Sequence, residues 1–168
     1  MADLVLDASA LAAFFLPDET GPDLERLAGA FADFRAPWLI WAEIRNILIM
    51  LERRGRLPKG FADEALAAIE GLAIALDTAP AGPDVMRLAR AHGLSIYDAL
   101  YLELALRLGA PLATMDAALA RAAEAEGVAL AGRGRQAVRA PLALLRLASR
   151  GSRPMSCMDF ARHAPSRL

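Results

Sequence analysis

Short apolar runs that close on an aspartate and pass directly into helix-forming sequence leave this chain few folds to choose from. Leu4-Val5-Leu6 is continuously apolar and ends on Asp7-Ala8-Ser9, and a helical preference over residues 10–16 then stops at Pro17. The run is too short for a helix and lacks the alternation of a half-wet strand, so it predicts a strand buried on both faces. The same transition recurs at residues 111–113, which lead into Thr114-Met115-Asp116 and an expected helix over 117–126. Further strands are expected at 34–36, 74–76 and 128–130. Helices are expected over 22–31, 38–54, 58–73, 84–92 and 95–108. The last two are closed by Gly93 and Gly109, which tolerate the left-handed geometry of a helix end. Strands separated by helices imply an α/β sandwich around a mainly parallel sheet. Right-handed crossovers then bring the strand C-terminal ends to one edge, where such sheets bind ligands.

Length and charge divide the chain unequally. Its 168 residues suffice for one domain with an appendage, and 56% hydrophobic against 23% charged residues is a balance that buries a core. The net charge of −1 conceals a segregation: residues 133–168 hold eight arginines against Asp159, a net +7, which leaves −8 on the rest. Residues 1–131 are therefore expected to fold as the domain, and 132–168 to form an arginine-rich, weakly ordered tail. The longest apolar stretch, 38–51, is broken by Glu43, Arg45 and Asn46 and falls short of the roughly 18 residues that span a bilayer, so no membrane association is expected. The N-terminus has no basic segment of the secretory kind, and a cytoplasmic location is expected. One cysteine, Cys157, and two histidines, His92 and His163, exclude an internal disulfide and a thiolate-rich zinc site. A metal in this chain needs oxygen ligands.

Four acids have positions that invite chemistry. Asp7 and Asp116 stand where a strand passes into a helix, so topology brings them to the same edge, although aspartate is also a preferred helix N-cap. Ser9 and Thr114 carry the same ambiguity. Asp98 follows Ser95 by three residues, the spacing of a capping box. Glu43 interrupts a helix that is apolar nearly all round and expected to be mostly buried, where an unpaired carboxylate is costly. Asn46 shares its face, and Arg45 is a possible ion-pair partner. Independent caps need not converge, whereas a hard divalent cation, Mg²⁺ or Mn²⁺, needs several oxygens in one place. Carboxylates gathered that closely repel one another unless a cation or proton intervenes. The chemistry such a pocket supports is phosphodiester hydrolysis.

The blocks LVLDASALAAFF (residues 4–15), AEIRNIL (42–48) and LARAHGLSIYDALYLELALRLGAPLATMD (88–116) resemble those of the PIN-domain family, most closely the VapC-type toxins of bacterial toxin–antitoxin pairs. The resemblance runs over residues 3–131 and rests on an ordered set: DAS, then E-x-x-N, then SIYDALYLELA, then T-x-D. It implies a PIN-like three-layer α/β/α sandwich with a short, mainly parallel sheet. It further implies that Asp7, Glu43, Asp98 and Asp116 are the metal-binding, catalytic acids, that Ser9 and Thr114 assist them, and that Asn46 supports Glu43. The implied activity is a Mg²⁺- or Mn²⁺-dependent endoribonuclease that cuts transfer or ribosomal RNA and stops translation. The implied partners are that RNA, a second copy of the chain and a small antitoxin that blocks the cleft.

RNA approaching an acidic body needs basic residues at the rim, for which Arg45, Arg53, Arg54 and Arg56 are the candidates. Phe14, Phe15 and Leu16 are apolar residues that could face either the core or an interface. Two features depart from the family pattern. Ala117 and Ala118 follow the last aspartate where many relatives carry a basic residue, and the basic tail is extra. A phosphoacceptor receiver domain needs paired aspartates and a lysine on a late strand, yet Lys59 precedes a helix. A haloacid-dehalogenase-like phosphatase needs a second aspartate at the place of Ser9. The surviving alternative is a PIN-like RNA- or protein-binding module without cleavage.

Overall fold

The structure, a computed structural model, describes residues 2–14 and 24–132. Four strands, β1 (Leu4–Leu6), β2 (Phe34–Pro37), β3 (Ala75–Asp77) and β4 (Leu112–Ala113), form one parallel sheet in the order β3-β2-β1-β4. The central β1 is buried along its whole length, as its unbroken apolar sequence requires of a strand covered on both faces. Its register sets Leu4 beside Phe34 on one side, and Val5 and Leu6 beside Leu112 and Ala113 on the other. The expected strand at 128–130 is a single parallel bridge, Leu130 to Leu112, beyond β4.

Seven helices complete the described residues: α1 (Ala8–Ala13), α2 (Leu24–Ala30), α3 (Ile40–Arg53), α4 (Phe61–Glu70), α5 (Gly82–His92), α6 (Ile96–Leu108) and α7 (Ala117–Ala125). Helix α6 packs on β1, β2 and β4 and is flanked by α5 and α7, while α1 packs on α3 and α3 on α4. Most boundaries follow local chemistry. Gly93 and Gly109 end α5 and α6 in the left-handed region, at φ 63° and 58°. Helix α4 starts three residues later than its Pro58 suggests because Gly60 is left-handed, at φ 86°, and a helix cannot run through that backbone.

Burial of α3 differs from expectation. Ile40, Ile44, Leu48 and Leu51 form its buried face, but Trp41 and Ile49 are 50% and 41% exposed, and the preceding Trp38 is 45% exposed. Phe14 is buried in the core; Phe15, Leu16 and the tail at 133–168 lie outside the described residues. No helix among the described residues is long and apolar enough to cross a membrane.

Candidate active site

Parallel pairing sets the ends of β1 and β4 side by side: the Asp7 amide donates to the Ala113 carbonyl at 3.0 Å, so Asp7 and Thr114 emerge as neighbours. Asp7 occupies the N-cap of α1 with extended backbone, φ −82° and ψ 149°, but its carboxylate makes no cap hydrogen bond. The Ser9 hydroxyl and the Thr114 hydroxyl, the latter at 2.7 Å, both donate to Asp7 Oδ2. Each hydroxyl also accepts a backbone amide from the β4–α7 connection, Met115 to Ser9 at 2.9 Å and Asp116 to Thr114 at 3.0 Å. The two hydroxyls thus fasten the Asp7 carboxylate to the loop that bears Asp116. Asp7 is only 6% exposed. Burial pushes its pKa above the ordinary carboxylate value against those hydrogen bonds, and the nearby Asp98 charge pushes the same way.

Glu43 and Asp98 reach the same place from the first turns of α3 and α6. Glu43 has its pKa raised, first by burial and then by the charges of Asp7 and Asp98. Three carboxylates from three elements therefore repel one another across one space, and among the described residues no basic side chain pairs with any of them. Each stands at a helix N-terminus, where the exposed amides and the aligned peptide dipoles favour negative charge. Asp98 accepts a hydrogen bond from the Ser95 hydroxyl at 2.7 Å, and its own amide donates to that oxygen at 3.1 Å.

Two expected residues behave differently. Asp116 is joined to the group through Thr114, but its carboxylate caps α7, Oδ1 accepting the Leu119 amide at 2.7 Å. Asn46 is exposed and is not the support of Glu43; that role falls to a residue the sequence reading passed over. The Tyr101 hydroxyl donates to Glu43 Oε2 at 2.6 Å, and the tyrosine is 1% exposed. Spacing could have revealed it, since Tyr101 follows Asp98 by three residues and so shares its helix face. Arg45 is not the partner of Glu43 either. It pairs with Glu70 at 3.2 Å and stacks on Trp41, 4.0 Å from the ring centre. Arg53, Arg54 and Arg56 are exposed.

The donor set consists of oxygen atoms alone, which suits a hard cation. Among the described residues no three acidic, histidine or cysteine side chains are already closed into a cage.

Comparison with known proteins agrees with this architecture. The PIN domain family model matches residues 4–125. Ribonuclease VapC3 of Pyrobaculum aerophilum is 35% identical over 120 residues, which are 70% of this chain and 92% of that protein. The crystal structure of PAE2754 from the same organism superposes with a TM-score of 0.57 at 26% identity, covering 89% of this chain and 97% of that one. A parallel sheet with acids gathered at the helix starts along one edge, matched over most of its length by the family model and by a VapC protein, makes this chain a member of the PIN-domain family with its likeness to the VapC-type branch.

Proposed function

We propose that the protein is a Mg²⁺- or Mn²⁺-dependent endoribonuclease, the toxin of a toxin–antitoxin pair, and that it inhibits translation by hydrolysing RNA phosphodiester bonds. The observation that carries this reading is the group of Asp7, Glu43 and Asp98, three carboxylates at one sheet edge that pair with no basic side chain among the described residues, two of them with raised pKa values. The likeness to a protein named as a ribonuclease supports the choice of RNA as substrate.

In this reading Asp7, Glu43, Asp98 and Asp116 are the catalytic and metal-holding acids. A divalent ion held there supplies, when bound, a more acidic water and neutralisation of the phosphate charge. Ser9 and Thr114 orient the Asp7 carboxylate and tie it to the Asp116 loop. Raised pKa values do not oppose this role, because a cation displaces the proton that burial would otherwise favour. The exposed Arg53 and Arg54 offset the repulsion between RNA phosphates and an acidic body. The catalytic unit is residues 1–131, the working form is a homodimer in the cytoplasm, and a small antitoxin protein is the natural inhibitor.

The test is RNA cleavage by purified protein. Cleavage is expected with Mg²⁺ or Mn²⁺ and is expected to vanish with EDTA, with Asp7→Ala and with Asp98→Asn, while circular dichroism shows an intact fold. Cleavage without metal, or full activity in both variants, refutes the assignment. A folded protein that takes up RNA without cutting it supports the binding-module alternative instead. Sequencing RNA ends after brief expression of wild type and of Asp98→Asn identifies the target, and light scattering measures the oligomeric state.

A further inference from the structure

Tyr101 is a buried polar residue for which a phenylalanine would fill the same space without a hydroxyl to satisfy. Its hydroxyl is engaged with an element that carries the site: it donates to Glu43 Oε2 on α3, at 2.6 Å, and the Asp7 charge lies close enough to bear on it. Tyr101 itself stands one helical turn beyond Asp98 on α6. One neutral side chain therefore touches or adjoins three of the four acids.

We propose that Tyr101 is a positioning residue that holds the Glu43 carboxylate at the distance and rotation from Asp7 and Asp98 at which a divalent cation can be shared between them. The inference rests on the metal-dependent reading above. Repulsion from Asp7 and Asp98 drives the half-buried Glu43 outward toward water, and among the described residues no basic side chain draws it back. A cationic partner could hold it but would cancel the charge that attracts the metal. A tyrosine hydroxyl holds it by a hydrogen bond and leaves that charge in place. The bond occupies Oε2 and leaves Oε1 available to a ligand. Partners that orient metal ligands in this manner change metal affinity by about 10–100-fold when they are removed.

The test is Mn²⁺ binding, followed by the electron paramagnetic resonance of the free ion, in wild type, Tyr101→Phe, Glu43→Gln and the double variant. Tyr101→Phe is expected to raise the Mn²⁺ dissociation constant about 10-fold. The double variant is expected to bind no more weakly than Glu43→Gln, since the tyrosine acts through the glutamate. A dissociation constant in Tyr101→Phe equal to that of wild type, with the variant folded, overturns the proposal. So does a double variant weakened by the full product of the single effects.

A second measurement needs no substitution. The chain has two tyrosines, so 3-fluorotyrosine labelling gives two fluorine resonances, and that of Tyr101 is expected to move when Mg²⁺ is added. A Tyr101 resonance indifferent to saturating Mg²⁺ refutes the coupling. Wild type that neither takes up Mn²⁺ nor cleaves RNA overturns the function and this inference together. Wild type that does both, beside an unaffected Tyr101→Phe, overturns only the inference.

Discussion

Neutralising Asp7 is expected to stabilise the metal-free protein while destroying its activity. Asp7 is 6% exposed, and its raised pKa means that burial outweighs the hydrogen bonds it receives: the ionised form is worse off in the fold than in water. Asparagine has nearly the same shape. The Ser9 and Thr114 hydroxyls both donate to Oδ2, so a single amide oxygen can accept both bonds, although without charge assistance. Relief of burial and of the Asp98 repulsion exceeds that loss. The net gain is expected at about 1–2 kcal/mol, the usual yield of relieving one unfavourable functional-site interaction. For a chain of this length that raises Tm by roughly 2–8 °C. The assay is thermal or urea unfolding in EDTA, repeated with Mg²⁺. In wild type, Mg²⁺ at 100 times its dissociation constant adds about 2.7 kcal/mol, an increment Asp7→Asn is expected largely to lose. An Asp7→Asn protein less stable than wild type in EDTA, or stabilised equally by Mg²⁺, refutes the reasoning.

Three other outcomes are expected. Without metal, Asp7 and Glu43 contribute most to stability below their ordinary carboxylate values of 3.8 and 4.5, and that contribution is lost as pH rises through their raised folded values. Glu126, lowered by His92 and Arg87, acts in the opposite sense below about 4.5, so urea midpoints in EDTA should fall as pH is raised above that value, and less steeply in Asp7→Asn. Arg107→Met removes the partner of Glu103, which is 3% exposed and bonded to Arg107 at 2.7 Å. It should cost about 2–3 kcal/mol in denaturant unfolding, below the cost of a fully buried pair because the guanidinium is partly exposed, and a loss under 0.5 kcal/mol counts against the pair. Asp116→Ala should lose about 1 kcal/mol with the α7 cap, whereas Asp116→Asn keeps the cap and loses cleavage, so equal cleavage in Asp116→Asn and wild type removes Asp116 from the site.

The parts of this molecule legible in one dimension are those set by contiguous residues. β1 and the ends of α5 and α6 follow from an apolar triplet and from glycines that allow a left-handed turn, and each needs no knowledge of distant sequence. Helix α3 exposes the limit. Its residues are apolar on several sides, and hydrophobicity alone does not say which side the fold covers, so Trp41 and Ile49 were expected inside and lie at the surface. The partner of Glu43 shows the same limit at the site. Asn46 shares a helical face with Glu43, but the edge of the buried region passes between them and leaves Asn46 in solvent. The hydroxyl that does reach Glu43 comes from 58 residues away, a pairing that only the packing of α6 against the rest can create.

Capping and ligand binding looked like rival explanations for the aspartates, but the fold makes them one arrangement. A parallel sheet sends every strand C-terminal end into the start of a helix on the same side, so positions that favour caps and positions that face the ligand edge coincide. The helix dipoles that reward an N-cap carboxylate also lower the cost of assembling several of them. What separates the roles is where each carboxylate directs its oxygens. Asp116 gives one to the α7 backbone, and its own amide donates to the Thr114 hydroxyl. Asp7, in the same N-cap position, is held by two hydroxyls, Ser9 of its own helix and Thr114 beyond β4. A buried N-cap carboxylate held by hydroxyls, with two other acids nearby, is the placement that the proposed metal role requires, and the comparison of wild type with Asp7→Asn in EDTA and in Mg²⁺ tests it.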